Sequence, residues 1–347
     1  MTRPRFRVDL TADFYDADGH LKYADVGLDR LSAITGIEIG RFIEHRPEIG
    51  PEQLPDAQGL LVLTPRVSAH SLSASRNLLV VSRFGVGYDN VDVAACTAAD
   101  VVLCIATGAV DHSVAEATVG WMLALTHHLR MKDRLIRESR WNDRSRYMGS
   151  ELRERTLGLV GFGGIGRAVV RLLSGFGMQP PLVFDPYVPA AQMAASGARA
   201  ATLEELLSQS DFVSLHCPLN DQTRNLIGPR ELATMKLTAY LLNTARGGIV
   251  DEAALYEALA TRRIAGAALD CFTVEPPVGP SPFAELENVL LAPHSIAWTH
   301  ELFRDIGRTA CQSLVELAHG RRAHGVVNPE VFDRPSFQEK WNRLRLP

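Results

Sequence analysis

The chain has 347 residues, of which 46% are hydrophobic and 22% charged, and its formal net charge at pH 7 is -4. This composition is typical of a globular protein, and no apolar run reaches the roughly 20 residues that a transmembrane helix needs. The charge gives no electrostatic reason to expect a nucleic acid partner. The length predicts two domains, each large enough to bury its own core.

The amino terminus and the cysteines both bear on the cellular compartment. The first residues, MTRPRFRVDLTADF, lack the apolar stretch of a signal peptide and are interpreted as leading into a strand. The five cysteines are an odd number without a C-x-x-C pair, which is typical of small buried thiols in a reducing compartment. The sequence therefore predicts a cytoplasmic protein that neither binds a membrane nor holds a metal.

Short apolar runs separated by helix-like stretches dominate the first hundred residues. Such runs predict buried parallel strands joined by helices, here over residues 6–10, 60–63, 78–81 and 101–105. Ser113 and Glu116 then have the spacing of a capping box, and apolar residues recur at helical spacing behind them. This pattern predicts one helix of about 25 residues that ends near Arg140.

A polar stretch over residues 141–156 is predicted to be a loop, and a second series of strands and helices follows it. The second series predicts a doubly wound parallel sheet. Residues 300–319 are predicted to form a helix, and the polar tail after residue 332 is interpreted as an arm on the surface or on a neighbouring subunit. The six strands of the second series are predicted at residues 157–160, 182–184, 212–215, 240–243, 267–269 and 289–291.

A glycine-rich turn connects the first strand of the second series to a helix. Its sequence, GFGGIG, follows the apolar run LGLV and opens the stretch RAVVRLLSGFG, which is the context that a dinucleotide-binding fingerprint requires. Gly161 allows the tight turn, Gly163 allows the backbone to approach a pyrophosphate, and Gly166 allows close packing of helix and strand. The residues of this turn predicted to bind the cofactor are Gly161, Gly163, Gly164, Ile165 and Gly166.

Asp185 follows the next predicted strand, about 20 residues after the glycines, where a carboxylate can accept hydrogen bonds from the ribose hydroxyls. A carboxylate there repels a 2'-phosphate, and the next residues, Pro186 and Tyr187, provide no arginine to bind one. The sequence therefore predicts NAD as the cofactor in preference to NADP.

The fingerprint and four later motifs, HCPLNDQT, LNTARGG, ALDCFTVEPP and LAPHSIAWT, occur in an order and spacing that resemble the D-isomer-specific 2-hydroxyacid dehydrogenase family. The resemblance runs from about Leu78 to Pro329. It implies an NAD-dependent oxidoreductase that transfers a hydride between nicotinamide and the α carbon of a small D-2-hydroxy or 2-keto acid. It also implies that Arg246, Glu275 and His294 are the catalytic residues.

The chemistry of the reaction explains these residue types. Oxidation of an alcohol needs a base that titrates near neutral pH, which His294 supplies, and its protonated form serves the reverse reaction. Glu275 would fix the tautomer of the imidazole and favour the imidazolium. The planar guanidinium of Arg246 suits the substrate carboxylate and carbonyl.

The resemblance also implies residues around the cofactor and the substrate. Asp270 would contact the nicotinamide carboxamide, and RFGVGYDNVD resembles a segment whose backbone amides receive the substrate carboxylate. The further cofactor-binding residues would be His216, Cys217, Pro218, Thr223, Thr244 and Ala245, and the substrate-binding residues Arg83, Val86, Gly87 and Arg246.

The architecture implied is α/β, with two doubly wound parallel-sheet domains. A Rossmann domain that binds NAD, residues 113–300, would be inserted into a smaller flavodoxin-like substrate domain formed by residues 1–112 and 301–347. The helix that starts at Ser113 would pack against a second subunit, so a homodimer is expected.

Three alternatives stay open at this point. The chain could be a dehydrogenase for phosphite or formate on the same fold, an NAD(H)-sensing co-repressor that binds the cofactor without turnover, or a short phosphoglycerate dehydrogenase. The roles of Trp298 and Arg66 are open as well. Trp298 could narrow the substrate pocket or supply a stacking face, or it could pack against the first domain. Arg66 could bind a second anionic group or lie on a solvated turn.

Overall fold

The computed structural model describes residues 5–54 and 56–347 and divides into two compact units. Unit 1 comprises the chain up to Val110 together with Trp298–Pro347, and unit 2 comprises Asp111–Ala297. Unit 2 is thus an insertion into unit 1. The fold is α/β with one parallel sheet in each unit, which confirms the predicted fold class.

Twelve helices are found in the described part of the chain. They are α1 (Leu28–Ser32), α2 (Ala69–Leu72), α3 (Val93–Ala98), α4 (Asp111–Thr126), α5 (Leu129–Arg137), α6 (Gly164–Leu173), α7 (Ala190–Ala195), α8 (Leu203–Gln209), α9 (Pro229–Thr234), α10 (Glu252–Ala260), α11 (His300–Ala318) and α12 (Pro335–Leu344). Among the described residues, none of these helices combines the length and the hydropathy that crossing a bilayer requires.

The sheet of unit 1 has five parallel strands in the order β2-β1-β3-β4-β5, which is the order of flavodoxin-like folds. The apolar runs predicted four of these strands, and the structure adds the strand at Ile37–Arg41. That strand lies at an edge of the sheet and buries none of its residues fully, so it lacks the apolar run of an interior strand. The strands are β1 (Phe6–Leu10), β2 (Ile37–Arg41), β3 (Gly59–Val62), β4 (Val80–Arg83) and β5 (Val102–Ile105).

The tail of the chain packs on unit 1. Helix α12 buries Phe337 completely, and the indole Nε1 of Trp341 donates a hydrogen bond of 2.7 Å to the carbonyl oxygen of Leu317. The ammonium of Lys340 donates to the carbonyl oxygens of Ala99 and Asp100. The polar residues of the tail therefore surround an apolar stripe that is anchored within its own chain.

The sheet of unit 2 has seven parallel strands in the order β12-β11-β10-β9-β6-β7-β8. Counted from β6, this is the 3-2-1-4-5-6 order of Rossmann folds with one further strand. Six of the strands are predicted by their apolar runs, and the seventh, Arg199–Ala200, has only two exposed residues at the other edge. The strands are β6 (Leu157–Val160), β7 (Leu182–Phe184), β8 (Arg199–Ala200), β9 (Phe212–Leu215), β10 (Tyr240–Asn243), β11 (Gly266–Leu269) and β12 (Val289–Leu291).

The long helix predicted after Ser113 is wrong in its extent. Two helices, α4 and α5, occupy this region, and the residue between them, His128, has a left-handed backbone with φ of 51°. A left-handed residue ends the run of helical hydrogen bonds. Helix α4 also begins at Asp111, two residues before the predicted cap, and the loop predicted next contains 3-10 turns at Trp141–Tyr147.

Both faces of the unit 2 sheet carry an apolar core. One face packs against the helices α4 and α6, with Trp121, Met122 and Phe162 among the buried residues. The other face packs against α8, α9 and α10 and includes Leu206 and Leu255. Because both faces are covered, the interior strands are mostly apolar, which is why they are recognisable in the sequence.

In unit 1, α11 passes so close to the segment before α1 that only a glycine fits. A Cβ atom on Gly307 would lie 2.2 Å from the backbone carbonyl carbon of Val26. Gly120, in the middle of α4, is exposed and has no heavy atom within 4 Å of such a Cβ. Close packing thus requires a glycine at residue 307, whereas no neighbouring atom requires one at residue 120.

We expect Gly307→Ala to lower the free energy of unfolding by roughly 1 to 3 kcal/mol because the added methyl group overlaps the backbone of Val26. The matched variant Gly120→Ala should leave it unchanged or raise it by up to about 1 kcal/mol through helix propensity. Urea-unfolding midpoints of the three proteins test this pair. Equal midpoints for both variants would contradict the packing argument.

Candidate active site

The predicted site residues of unit 2 follow strands that end on one row of the sheet. Register pairs Phe184, Val160, Leu215, Asn243, Leu269 and Leu291 in succession across the strands β7, β6, β9, β10, β11 and β12. Parallel strands are spaced about 4.8 Å apart, so the residues that come next lie along one edge. The residues that follow the row are Asp185, Gly161, His216, Thr244, Asp270 and Ala292.

The glycine-rich turn lies between β6 and α6. Gly161 has φ of 97°, and a Cβ atom there would lie 2.7 Å from the backbone carbonyl carbon of His216. A Cβ atom on Gly166 would lie 2.8 Å from the carbonyl oxygen of Gly161, whereas one on Gly163 would meet nothing within 4 Å. Close packing of the backbone therefore requires glycine at residues 161 and 166, whereas Gly163 borders open space in front of the amino terminus of α6.

Asp185 is tied to the glycine-rich turn by its carboxylate. One oxygen accepts a hydrogen bond of 2.8 Å from the backbone N–H of Phe162, and the other accepts one of 2.9 Å from the N–H of Tyr187. The side chain of Tyr187 is exposed, and its hydroxyl donates to Gln222. The carboxylate is thus held in one position beside the turn.

Two buried polar atoms at this edge have no hydrogen-bond partner within the described residues. They are Nδ1 of His216 and Oγ1 of Thr244. The other ring nitrogen of His216 is 2.9 Å from the hydroxyl of Ser214, and burial lowers the pKa of this histidine to about 4. Burial raises the pKa of Cys217 to about 11. These side chains are therefore neutral at physiological pH and leave two polar atoms for a ligand.

Thr223 stabilises the loop after β9, since its hydroxyl donates a hydrogen bond of 2.6 Å to the carbonyl oxygen of Pro218.

The loop after β10 holds Arg246 through Asn243, a buried residue that the sequence did not single out. Its amide nitrogen donates to the carbonyl oxygen of Arg246, and its amide oxygen accepts from the N–H of Ala245. The next residue, Gly247, has room for no side chain, because a Cβ atom would lie 2.0 Å from the carbonyl carbon of Phe272. The loops after β10 and β11 therefore fix one another.

Glu275 and His294 form a hydrogen-bonded dyad. Nδ1 of the imidazole is 2.7 Å from Oε2 of the carboxylate, and the other carboxylate oxygen accepts a bond of 2.7 Å from the N–H of Phe272. Burial raises the pKa of Glu275, but the bonds from His294 and Phe272 and the charge of Arg246 outweigh it and hold this pKa below its usual value. Glu275 is therefore an ionised carboxylate beside the imidazole.

Asp270 connects the end of β11 to the loop that carries His294. Its Oδ1 accepts from the N–H groups of Ser295 and Ile296 at 2.8 and 3.1 Å, and its carbonyl oxygen accepts from the N–H of His294. His294 has a left-handed backbone with φ of 53°. Burial raises the pKa of Asp270, against the hydrogen bonds that lower it. This carboxylate holds the loop that positions the imidazole.

Asp111, the first residue of α4, is a second residue that the sequence analysis missed. A Cβ atom on Gly164 would lie 1.9 Å from its Oδ2 atom, so the carboxylate occupies the space of a side chain at residue 164. Burial raises the pKa of Asp111, and the charge of Arg171 lowers it. A carboxylate thus lies against the amino terminus of α6, where helices bind anions. No motif in the sequence connects residue 111 to residue 164.

In unit 1, the predicted substrate segment follows β4. Gly85 has φ of 138°, and a Cβ atom there would lie 2.4 Å from Nη1 of Arg83, so the guanidinium folds over this glycine. Within the described residues, the backbone N–H groups of Val86 and Gly87 have no acceptor. They are donors available to an anion.

The ring of Trp298 contacts Phe303 and Tyr23, and all three residues belong to unit 1. The tryptophan ring meets Phe303 edge-on at 5.2 Å, and Tyr23 stacks on the same phenylalanine at 4.0 Å. Trp298 still exposes 55% of its surface. Arg66 is exposed, and its backbone N–H donates to the carbonyl oxygen of Pro47.

We expect Asp270→Ala to lower the free energy of unfolding by about 1 to 3 kcal/mol, because two partly buried N–H groups lose their acceptor. Asp270→Asn keeps an oxygen at this place, so its free energy of unfolding should fall clearly less. Urea-unfolding midpoints compare the two variants. An equal loss for both would mean that the two hydrogen bonds do not hold the loop.

Comparison with known proteins places these observations among relatives. Residues 119–295 match the family described as D-isomer specific 2-hydroxyacid dehydrogenase, NAD binding domain. The chain is 38% identical over 296 residues to the D-3-phosphoglycerate dehydrogenase of Methanocaldococcus jannaschii. The matched region covers 85% of the chain but only 55% of that relative. The chain thus spans about half the length of this relative.

Two further relatives match over most of their own length. The glyoxylate reductase of Korarchaeum cryptofilum is 36% identical over 293 residues, covering 83% of the chain and 88% of that protein. The solved structure of an NADPH-dependent glyoxylate/hydroxypyruvate reductase from Sinorhizobium meliloti superposes with a TM-score of 0.79 at 27% identity, over 94% of the chain and 99% of that structure.

Proposed function

Because the chain belongs to the D-isomer-specific 2-hydroxyacid dehydrogenase family, we propose that it transfers a hydride between nicotinamide and the α carbon of a small D-2-hydroxy or 2-keto acid. His294 is the acid and base of this reaction, Glu275 its partner and Arg246 the residue that binds the substrate. The observation that carries the proposal is the contact of 2.7 Å between Glu275 and His294.

The dyad determines which ring nitrogen exchanges a proton with the substrate. Glu275 is ionised, so Nδ1 of His294 carries a proton that it donates to this carboxylate, and Nε2 is the basic nitrogen. In the oxidation direction, Nε2 takes the proton of the substrate hydroxyl. The carboxylate then stabilises the imidazolium that forms. In the reduction direction, Nε2 returns the proton to the oxygen of the carbonyl.

Arg246 brings a positive charge to the same place. Its charge is one cause of the low pKa of Glu275, which puts the guanidinium within electrostatic range of the dyad. A planar guanidinium binds a carboxylate through two parallel hydrogen bonds and also polarises a carbonyl oxygen. The backbone N–H groups of Val86 and Gly87, with Arg83, are the proposed ligands of the substrate carboxylate in unit 1.

The residues of unit 2 fit a nicotinamide dinucleotide. Bound there, the nicotinamide would accept or supply the hydride. The open space at Gly163 and the N–H groups at the start of α6, at Gly164 and Ile165, suit a pyrophosphate. The buried Nδ1 of His216 and Oγ1 of Thr244 lack partners within the described residues and would gain one from the ligand. The remaining proposed cofactor-binding residues are Gly161, Gly166, Asp185, Cys217, Pro218, Thr223, Ala245 and Asp270.

NAD is proposed in preference to NADP because of Asp185. Two backbone N–H groups hold this carboxylate beside the glycine-rich turn, where it would accept hydrogen bonds from ribose hydroxyls and repel a 2'-phosphate. Tyr187, two residues later, has an uncharged side chain whose hydroxyl donates to Gln222, so it provides no positive charge to bind such a phosphate. The homodimer and the cytoplasmic location stay predictions of the sequence.

We expect the protein to oxidise NADH, and NADPH more slowly, in the presence of at least one of glyoxylate, hydroxypyruvate, pyruvate, phenylpyruvate, 2-ketoisocaproate and phosphorylated hydroxypyruvate. His294→Ala should abolish turnover, because proton transfer contributes about 100-fold or more to such rates. Arg246→Ala should lose turnover and retain NADH binding. Absorbance at about 340 nm follows the reaction, and fluorescence titration follows NADH binding.

Each outcome of that experiment has a distinct meaning. Turnover that survives in His294→Ala would remove this residue from the mechanism, and turnover that survives in Arg246→Ala would remove that arginine. NADH binding without turnover of any 2-keto acid would contradict the proposed reaction and favour a role in sensing the cofactor.

We expect Asp111→Asn to bind NADH about fivefold more tightly than the native protein, because removal of a carboxylate at the amino terminus of α6 is worth about 1 kcal/mol to the pyrophosphate. The difference should shrink as the pH falls through the raised pKa of Asp111, since the native side chain then loses its charge. NADH fluorescence titrations at several pH values measure this.

Glu257→Gln is the matched control, because it removes one exposed carboxylate from α10 in the same unit. This variant should bind NADH like the native protein. Equal affinities for Asp111→Asn and the native protein at all pH values would contradict the role given to Asp111.

A further inference from the structure

A cysteine lies beside the catalytic dyad. Cys271 is the second residue after β11, and its sulfur lies with a carboxylate oxygen of Glu275 and a ring nitrogen of His294 in a cluster whose ligand atoms are all within 4.8 Å of one another. We propose that these three residues form a binding site for Zn²⁺ that inhibits the enzyme reversibly. The binding is independent of the proposed function, whereas the inhibition rests on it.

The donor set selects zinc among the common divalent cations. Zn²⁺ binds thiolate sulfur, imidazole nitrogen and carboxylate oxygen in a tetrahedron, with bonds of about 2.0 to 2.3 Å. Mg²⁺ and Ca²⁺ prefer oxygen ligands, and this cluster offers oxygen from one side chain only. A thiolate and a carboxylate together also neutralise the two positive charges of the ion. The expected selectivity is therefore for zinc over magnesium.

The distances require only a small contraction. Ligand atoms of a tetrahedral zinc site lie roughly 3.3 to 3.8 Å apart, as follows from the bond lengths. All ligand atoms of the cluster lie within 4.8 Å of one another, so the widest pair closes by at most about 1.5 Å to reach that geometry. Nδ1 of His294 and Oε2 of Glu275 are already 2.7 Å apart and separate slightly if both bind the ion. Three protein ligands leave the fourth position to water.

The thiol changes its partner when the ion binds. The sulfur of Cys271 is 3.4 Å from the carbonyl oxygen of Ala245, to which it donates, and the residue is 3% exposed. Coordination exchanges this weak bond for a bond from sulfur to zinc and releases the thiol proton to solvent. Glu275 and His294 are exposed enough for the ion to enter from their side.

Zinc at this site blocks the proton transfer whichever nitrogen of His294 it takes. Coordination through Nε2 occupies the lone pair that accepts the substrate proton. Coordination through Nδ1 moves the ring proton from Nδ1 to Nε2, which then has no lone pair for the substrate proton, and it replaces the hydrogen bond to Glu275. Because no covalent bond to carbon forms, a chelator restores the activity.

The test compares two matched substitutions in protein that carries no affinity tag and has been treated with a chelator. Cys271→Ala removes the sulfur ligand, and Cys96→Ala removes a buried thiol of α3 in unit 1. Neither residue belongs to the proposed catalytic or binding machinery. Zn²⁺ is titrated against a chromophoric chelator, and Co²⁺ is added separately to record the absorption band of a thiolate-to-cobalt bond.

We expect one Zn²⁺ to bind per chain in the native protein and in Cys96→Ala, and the affinity to fall more than tenfold in Cys271→Ala. The cobalt band should appear in the first two proteins and be absent from the third. Micromolar Zn²⁺ should inhibit turnover of the native protein, EDTA should reverse this, and Mg²⁺ should have no effect. If Cys271→Ala folds poorly, Cys271→Ser replaces it in the test, because it keeps the size of the side chain. It should show the same loss of zinc affinity and of the cobalt band.

Two results would overturn the proposal. One is the absence of a cobalt band from the native protein, and the other is zinc affinity in Cys271→Ala equal to that of the native protein. A native protein that binds zinc with the thiolate band yet turns over no 2-keto acid would retain the metal site and refute the proposed function. If the native protein shows no cobalt band and zinc does not change its turnover, the metal site alone is refuted.

Discussion

The register of the seven-stranded sheet is the constraint on which the candidate site depends. Six parallel strands end on one row of paired residues, so segments far apart in the chain begin at the same edge. A shift of one residue in any strand would turn its side chains to the opposite face and move its loop along the edge. Burial of both faces prevents such a shift, and in this sense the apolar core positions the polar site.

Beyond the register, buried polar side chains attach the loops to the strand ends from which they leave. Asn243 closes the loop that carries Arg246, and Asp270 closes the one that carries His294. Gly247 then allows one loop to touch the other at Phe272. The side chains of Glu275 and His294 are partly exposed, yet the backbone beside Arg246 and His294 is held by hydrogen bonds to Asn243 and Asp270. A site of this kind is ordered before a ligand arrives, which lowers the entropy cost of binding.

The sequence predicted the fold where the chain follows a simple rule. Interior strands are apolar on both faces and were recognised, whereas the edge strands β2 and β8 are partly exposed and were missed. The break between α4 and α5 depends on a left-handed histidine, which no periodicity reveals. Motifs indicated the residues of the dyad, and the structure brings Glu275 and His294 into contact. Asp111 and Asn243 could not be found in this way, because their importance lies in contacts with backbone that only the folded sheet brings near.

The contact between Gly164 and Asp111 has a consequence for how this protein can change over generations. Any larger residue at position 164 collides with the carboxylate, and a shorter residue at position 111 leaves a gap beside the glycine. The two positions are therefore coupled: a new side chain at 164 requires that the carboxylate of Asp111 move aside or that residue 111 become smaller. Across related chains the residues at these two positions should therefore covary.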